Sequence, residues 1–159
     1  MGACDAWMEM ALGLARQAAA RGEVPVGAVV VRGEAVVGLG ANARETGGDP
    51  TGHAEIVALR DAAEKLGRWN LSDCDLYVTL EPCPMCAGAI LLARIRRLVY
   101  GAPDPKAGGC GSALDVIGSA RLNHRVQVVA GIRAEESADL LRGFFAERRR
   151  TSGEVAELG

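Results

Sequence analysis

Residues 76–86 read LYVTLEPCPMC, and this stretch carries the strongest structural signal in the chain. Its first five residues are apolar, aromatic or β-branched, as is typical of a strand. The proline at position 84 suits the first turn of a helix, where its missing N–H group costs no hydrogen bond. The stretch therefore predicts a strand that leads directly into a helix, with Cys83 and Cys86 on one face of the first helical turn.

A second segment, His53-Ala54-Glu55, is predicted at the start of another helix, which covers about 52–66. His53 and Glu55 are about 200° apart around a helix axis, so they can share a site only beyond the helix N-terminus. Cys83 and Cys86 also lie at a helix start. We therefore expect two helix N-termini to meet at one site, where their N–H groups and dipoles favour thiolates.

One imidazole and two thiols predict a zinc site. A catalytic zinc has three protein ligands and one position for water, whereas a structural zinc has four ligands. Histidine, a nearby glutamate and a Pro-Cys-x-x-Cys segment in this order are typical of zinc deaminases that act on nucleobases. A structural zinc would need His124, Cys74 or Cys110 as its fourth ligand. A thioredoxin-like redox pair is a third interpretation, but it leaves the histidine and Glu55 unexplained.

The whole sequence predicts one domain, 1–150, followed by a short polar tail, 151–159. Two strands joined at Gly33-Glu34 form a hairpin, and helices then alternate with strands. This order predicts a mixed sheet with helices on both faces. The expected elements are strands at 26–32, 35–39, 76–80, 98–100 and 126–129, a loop at 42–50, helices at 83–93 and 135–149, and a short helix near Leu114.

Charge and hydropathy limit the function classes. The chain has 159 residues and a net charge of −2, so no overall positive field attracts it to a polyanion. A nucleic-acid surface must therefore be local, and Arg148 and Arg149 beside Phe144 and Phe145 are the candidates. No apolar run reaches the roughly 18 residues of a membrane helix, and the N-terminus lacks a signal-peptide layout. We expect a cytoplasmic protein with no membrane partner.

From about Trp7 to Arg149 the chain resembles the bacterial tRNA adenosine deaminases of the zinc-dependent cytidine deaminase superfamily. The two metal-binding segments are common to the superfamily, and other segments favour the tRNA branch. Gly52, where alanine is usual, and Pro103, where a polar residue is common, depart from the pattern. The segments that carry the resemblance are EVPVGAV at 23–29, DPTGHAE at 49–55, YVTLEPC at 77–83, MCAGA at 85–89, DPK at 104–106, NHR at 123–125 and FF at 144–145.

The resemblance implies a three-layer α/β/α cytidine-deaminase-like fold with a five-stranded mixed sheet. It also implies a homodimer with one Zn²⁺ per subunit that converts the wobble adenosine of a tRNA anticodon loop to inosine. His53, Cys83 and Cys86 would hold the zinc. Glu55 would move protons while a water attacks C6 of the adenine. The residues that the resemblance places on the substrate are Val26, Asn42, Asp104, Lys106, Asn123 and Phe145.

Two other functions are open at this point. The same chemistry could act on a free nucleobase or nucleoside such as guanine or cytosine. A zinc-stabilised protein without catalysis could instead bind RNA, although such a protein has no need of Glu55 beside its metal.

Overall fold

A computed structural model describes residues 2–119 and 123–158. The strands form one sheet in the order β2-β1-β3-β4-β5. The elements of the described ranges are α1 (Ala3–Ala20), β1 (Gly27–Arg32), β2 (Ala35–Ala41), α2 (Arg44–Gly47), α3 (Ala54–Leu66), β3 (Asp75–Leu80), α4 (Pro84–Leu92), β4 (Arg97–Ala102), β5 (Gln127–Val129) and α5 (Ala134–Leu158).

The sheet is mixed, as predicted. Strand β1 is antiparallel to both β2 and β3. Strand β3 is parallel to β4, and β4 is parallel to β5. Parallel neighbours need a crossover connection, and α4 supplies it between β3 and β4. The carboxyl ends of β3 and β4 therefore lie side by side, and the segments that follow them begin at the same edge of the sheet.

Successive residues of a strand point to opposite faces of the sheet, and each face is covered by its own layer of helices. Ala28 and Val30 pack in a core cluster with residues of α3 and α4 such as Ala58 and Ile90. The intervening residues of β1 pack in a second cluster with α1, and α5 contributes to it through Leu140. This alternation follows from the two-residue period of a strand. The three-layer α/β/α architecture with helices on both faces is confirmed.

Glycines in β2 set the position of α3. A Cβ atom at Gly38 would lie 2.5 Å from the carbonyl oxygen of Ala58, and one at Gly40 would lie 2.6 Å from its backbone nitrogen. Because both distances are shorter than van der Waals contact, a larger residue at either position would push α3 away from the sheet. The N-terminal end of α3, which carries the candidate ligand His53, would move with it.

The structure differs from the sequence prediction in two loops. The predicted loop 42–50 contains the short helix α2. The short helix predicted near Leu114 is wrong, because residues 111–118 form turns with a single bridge between Cys110 and Asp115. Backbone N–H groups in this region donate to a buried carboxylate instead of closing helical turns.

The last helix is longer than predicted, since α5 runs to Leu158 and not to residue 149. Arg150 pairs with Glu147 one turn earlier, at 2.6 Å, and the hydroxyl of Thr151 donates to the Glu147 carbonyl at 3.0 Å. The division into a domain, 1–150, and a tail, 151–159, stays a prediction. Among the helices of residues 2–119 and 123–158, none combines the length and the apolar character that crossing a membrane requires.

Candidate metal centre and substrate pockets

The turn before α3 holds His53 at the open end of the helix. Asp49 accepts hydrogen bonds from the N–H and the hydroxyl of Thr51, at 2.9 and 2.8 Å. The carbonyl of Gly52 accepts one from the N–H of Ala43 at 2.9 Å. A Cβ atom at Gly52 would lie 3.2 Å from two carbonyl oxygens, so glycine fits this turn closely. His53 follows as the N-cap of α3 with extended backbone, φ −75° and ψ 150°.

Cys83 occupies the corresponding position before α4. It is the N-cap of that helix, with φ −69° and ψ 171°, and Pro84 lies in the first turn as predicted. The carbonyl of Cys83 accepts a hydrogen bond from the N–H of Ala87 at 2.8 Å. Cys86 lies within the same turn and is fully buried. Two helix N-termini therefore open onto one site.

Three potential ligand atoms meet at this site. Nδ1 of His53 lies 3.5 Å from Sγ of Cys83 and 3.5 Å from Sγ of Cys86. All three ligand atoms lie within 4.8 Å of one another. A tetrahedral zinc, with bonds of roughly 2.3 Å to sulfur and roughly 2.0 Å to nitrogen, separates those atoms by roughly 3.5 Å. The spacing and the soft donors fit a zinc ion.

The number of candidate ligands is the one expected for a catalytic rather than a structural zinc. Within residues 2–119 and 123–158, no further His, Cys, Asp or Glu side chain joins the three-residue group. His124 Nε2 lies 2.7 Å from the carbonyl oxygen of Ile95, and Cys74 belongs to the hydrophobic core. The thiol of Cys110 faces the carbonyl of Pro82 at 3.9 Å. None of these three candidate fourth ligands reaches the group, so a zinc held by His53, Cys83 and Cys86 would keep a fourth position for water.

The two cysteines share a hydrogen bond and have different proton affinities. The hydrogen bond from Cys86 lowers the pKa of Cys83 to about 4, and His53 acts in the same direction against burial. The same hydrogen bond, together with burial, raises the pKa of Cys86. Cys83 is thus a thiolate at neutral pH. The second thiol releases its proton when a metal binds, as metal–thiolate bonds require.

Glu55 lies in the first turn of α3 and is 4% exposed. Burial raises its pKa above the ordinary value of 4.5, and the negative charge of Cys83 adds to that effect. A carboxyl group whose pKa moves toward neutrality can both accept and donate a proton. Because Glu55 lines the pocket beside the ligand group without belonging to it, this carboxylate is suited to proton transfer.

The metal centre forms one wall of a pocket of about 610 Å³, which we call the inner pocket. Three of the predicted substrate residues, Val26, Asn42 and Asp104, line it. The amide of Asn42 donates to the Val24 carbonyl at 3.3 Å, which fixes its orientation at the end of the hairpin. The inner pocket is lined by Val24, Val26, Asn42, Arg44, His53, Ala54, Glu55, Leu80, Glu81, Cys83, Asp104 and Ala107.

A second cavity of about 1130 Å³, the outer pocket, adjoins the inner one. Both pockets share Val24, Leu80, Asp104 and Ala107. The outer pocket brings the predicted residues Lys106, Phe145 and Arg149 together, and Phe145 is 41% exposed. Its lining residues are Val24, Leu80, Pro103, Asp104, Lys106, Ala107, Leu141, Arg142, Phe145 and Arg149.

Two predicted substrate residues lie elsewhere. Asn123 lines a separate cavity beside Leu92 and Arg94, on the surface of α4. The guanidinium of Arg148 stacks over the ring of Phe144, 5.0 Å from its centre, and donates to the carbonyl of Gly22 at 3.3 Å. Neither residue is among the described residues that line the inner and outer pockets, so their substrate roles stay predictions.

Two carboxylates beside the pockets, Glu23 and Glu81, are buried, with 1% and 2% exposure, and neither was predicted as a site residue from the sequence. Burial alone would raise the pKa of Glu81, but hydrogen bonds from Ser112 and from backbone N–H groups lower it. Backbone N–H groups lower the pKa of Glu23 in the same way, again against burial. Each glutamate directly precedes or follows an apolar stretch, and a sequence pattern does not distinguish a buried carboxylate there from an exposed one.

Residues 3–149 match the sequence profile of the MafB19-like deaminase family. A tRNA-specific adenosine deaminase of Bacillus subtilis is 42% identical over 146 residues, which cover 92% of this chain and 91% of the relative. A tRNA(Ile)-lysidine synthase of Deinococcus radiodurans is 52% identical over 151 residues, which cover 94% of this chain. The match spans 26% of that longer relative.

Solved structures of two kinds of deaminase share this fold. One is a tRNA:A34 deaminase, described for A-to-I editing at the wobble position of transfer RNA. It matches with a TM-score of 0.83 and 47% identity, and the match covers 86% of this chain and 99% of that structure. A guanine deaminase of Nitrosomonas europaea matches with a TM-score of 0.80 and 28% identity, covering 92% of this chain and 86% of that structure.

Proposed function

Because the chain belongs to the MafB19-like deaminases and, within them, to the family of tRNA-specific adenosine deaminases, we propose that it converts the wobble adenosine of a tRNA anticodon loop to inosine. The reaction consumes one water and releases one ammonia. One observation carries the proposal: the ligand atoms of His53, Cys83 and Cys86 come together, and His53 and Cys83 line a pocket that the buried Glu55 also lines.

One zinc ion per subunit would be held by His53, Cys83 and Cys86. When bound, zinc supplies the charge that makes a water acidic enough to act as a nucleophile near neutral pH. The neutral histidine and two thiolates balance that charge, so Glu55 is not needed for neutralisation and remains available for proton transfer.

Glu55 would carry the protons of the reaction. It accepts a proton from the attacking water and passes it to N1 of the adenine, and C6 is then attacked. It next takes the remaining proton of the hydroxyl group added at C6 and gives it to the amino group, which leaves as ammonia while the C6 oxygen becomes the carbonyl of inosine. The position of Glu55 supports this role, since its buried side chain lines the inner pocket beside His53 and Cys83 without belonging to the ligand group. Val26 and Asn42 would hold the target nucleotide in the inner pocket.

The outer pocket supports an RNA substrate over a free base. A free base needs a single closed pocket, whereas a nucleotide within a loop brings its neighbours with it. Lys106 and Arg149 can contact phosphates in the outer pocket, and the exposed ring of Phe145 offers a surface for base stacking. Arg142 adds a third cation to this wall.

Deamination of two kinds of substrate tests the proposal. The zinc-loaded protein is incubated with an anticodon stem-loop that has adenosine at the wobble position, and separately with guanine and cytosine. We expect inosine and an equal amount of ammonia from the stem-loop, and slow reaction with the bases. Rapid ammonia release from guanine or cytosine with an unchanged stem-loop would favour the free-base alternative. RNA binding without any deamination would favour the non-catalytic one.

We also propose a homodimer in the cytoplasm, where tRNA is available. Trp69 and Leu92 are 66% and 72% exposed and line a shallow apolar cavity on the outer surface of α3 and α4. Contiguous exposed apolar surface of this kind is typical of an interaction site. Sedimentation of the wild type and of Leu92→Glu checks the assembly. We expect the wild type to sediment as a dimer and Leu92→Glu to sediment as a monomer. A monomeric wild type would contradict the proposed homodimer.

A further inference from the structure

Glu81 anchors the loop 103–112 through both of its carboxylate oxygens. Oε1 accepts a hydrogen bond from the N–H of Asp104 at 3.1 Å and another from the hydroxyl of Ser112. Oε2 accepts hydrogen bonds from the N–H groups of Cys110 and Ser112, at 3.0 and 3.2 Å. A single buried side chain thus satisfies donors at the beginning and the end of the loop.

Two glycines let this loop lie directly on the segment that contains the metal-binding cysteines. The N–H of Gly109 donates to the carbonyl of Pro82 at 2.6 Å. A Cβ atom at Gly109 would lie 2.7 Å from the backbone nitrogen of Pro84, and one at Gly108 would overlap the carboxyl group of Glu81. The loop therefore packs backbone against backbone, and the Glu81 carboxylate is its buried polar anchor.

The anchored loop forms part of the boundary between the two pockets, together with Val24 and Leu80. Asp104 and Ala107 line both of them, and Pro103 and Lys106 line the outer pocket. The side chain of Asp104 accepts hydrogen bonds from the N–H groups of Lys106 and Ala107, both at 3.1 Å. The position of Lys106 therefore depends on Asp104, and the position of Asp104 depends on Glu81.

We propose that Glu81 is a positioning residue that fixes the loop 103–112 beside the metal centre, so that Asp104 and Lys106 grip a nucleotide next to the target base. This inference rests on the proposed RNA substrate and specifies how the second pocket keeps its shape. Glu81 lines the inner pocket, but both oxygens of its carboxylate accept hydrogen bonds from the loop, so we assign its effect to the loop and not to the reacting atoms.

Glu23 provides a matched control, because it anchors the opposite wall in a similar way. Its buried carboxylate accepts hydrogen bonds from the N–H groups of Glu45 and Thr46, at 3.2 and 2.5 Å, and so holds α2. Of the residues of α2, all of which the structure describes, Arg44 lines the inner pocket and none lines the outer one. The adjacent Val24 lines both pockets, but its carbonyl is held separately by the N–H of Val26 and the amide of Asn42. A defect at Glu23 that frees α2 should therefore affect mainly the target nucleotide.

Kinetic assays on two RNAs distinguish a defect in the loop 103–112 from a defect at α2. Zinc-loaded Glu81→Gln and Glu23→Gln are assayed on the anticodon stem-loop and on a stem-loop whose nucleotides beside the target are abasic and joined by uncharged methylphosphonate linkages, so that neither base nor phosphate charge is left for the loop to bind. Glu81→Gln should raise KM for the intact stem-loop by about tenfold, with a smaller change in kcat, and should have little effect on KM for the abasic one. The effect of Glu23→Gln should be similar on both RNAs. An equal loss on both RNAs for Glu81→Gln, or a loss of zinc, would indicate a merely structural role and overturn the proposal.

Amide hydrogen exchange tests the anchor without any RNA. In Glu81→Gln the N–H groups of Cys110 and Ser112 should exchange faster than in the wild type, and in Glu23→Gln they should not. Unchanged exchange at the N–H groups of both Cys110 and Ser112 would overturn the role of Glu81, whatever the substrate is. A wild-type protein that leaves the stem-loop unreacted would instead overturn the proposed function. If Glu81→Gln does not fold, Ser112→Ala removes one donor and should raise KM for the intact stem-loop alone. An unchanged KM in Ser112→Ala would also overturn the proposal.

Discussion

The metal centre and the outer pocket are neighbours, but they are built differently. His53, Cys83 and Cys86 come from two helix starts, and the spacing within each short segment sets which side chains point to the site. The outer pocket collects residues from strand ends, from the loop 103–112 and from α5. The candidate chemistry therefore depends on local geometry, whereas substrate contact depends on how distant segments pack. Each prediction below tests one side of this contrast.

The largest effect is expected at the metal centre. Cys86→Ala removes one of three ligands, and no described side chain is placed to replace it, so the protein should lose most of its zinc and all measurable deamination. Metal analysis of the purified protein measures this. Cys74→Ala, also a buried cysteine but one in the hydrophobic core, is the control and should keep its zinc. Full zinc occupancy in Cys86→Ala would contradict the assignment of Cys86 as a zinc ligand.

Glu55→Gln should separate catalysis from metal binding. The carboxamide keeps the size of the side chain but cannot carry protons, so kcat should fall by about 10²–10⁴-fold while the zinc content stays at the wild-type level. Single-turnover assays and metal analysis on the same samples check this. Glu64→Gln changes an exposed carboxylate on the same helix and should leave kcat unchanged. If Glu55→Gln lost zinc together with activity, Glu55 would be a ligand or a structural residue.

A smaller effect is expected in the outer pocket, where two adjacent arginines differ. Arg149 lines the pocket, whereas Arg148 stacks on Phe144. Arg149→Ala should raise KM for the stem-loop several-fold and reduce the slope of log affinity against log salt by about 0.7, the value for one phosphate contact to a single strand. Arg148→Ala should change the slope less. Equal changes in both variants would mean that the whole cluster, and not the pocket wall, binds RNA.

The smallest expected effect is on the free energy of unfolding, through the Glu23 carboxylate that holds α2 beside the inner pocket. Backbone N–H groups at α2 hold the pKa of Glu23 below its ordinary value of 4.5, against the effect of burial. A lowered pKa in the folded state stabilises the protein above the unfolded-state value and loses that contribution as the pH falls through the folded-state value. Glu23→Gln should therefore be less stable than the wild type at pH 7, and the difference should shrink below pH 4.5. Denaturant unfolding at several pH values measures it. A difference that is constant with pH would contradict the assignment.

Most secondary structure near the metal centre was predictable. The strand predicted at 76–80 is β3, Asp75–Leu80, and the helix predicted from residue 83 is α4, with Cys83 as its N-cap. Both follow from local preferences, namely β-forming residues and a proline in the first helical turn. The helix predicted near Leu114 failed because the fold supplies a carboxylate from another part of the chain to bind those N–H groups. A local pattern contains no information about such a partner.

By itself, the sequence determined which three side chains form the candidate ligand group, the mixed sheet with helices on both faces, and the position of Glu55 at a helix start. These properties depend on spacing along one helix or strand, which sets the side chains that share a face or an end. The tertiary structure alone decided that Arg149 lines the outer pocket and Arg148 does not, and that Glu23 and Glu81 are buried anchors. Burial of a carboxylate depends on which segments pack over it and donate hydrogen bonds to it, and those donors come from residues far away in the chain.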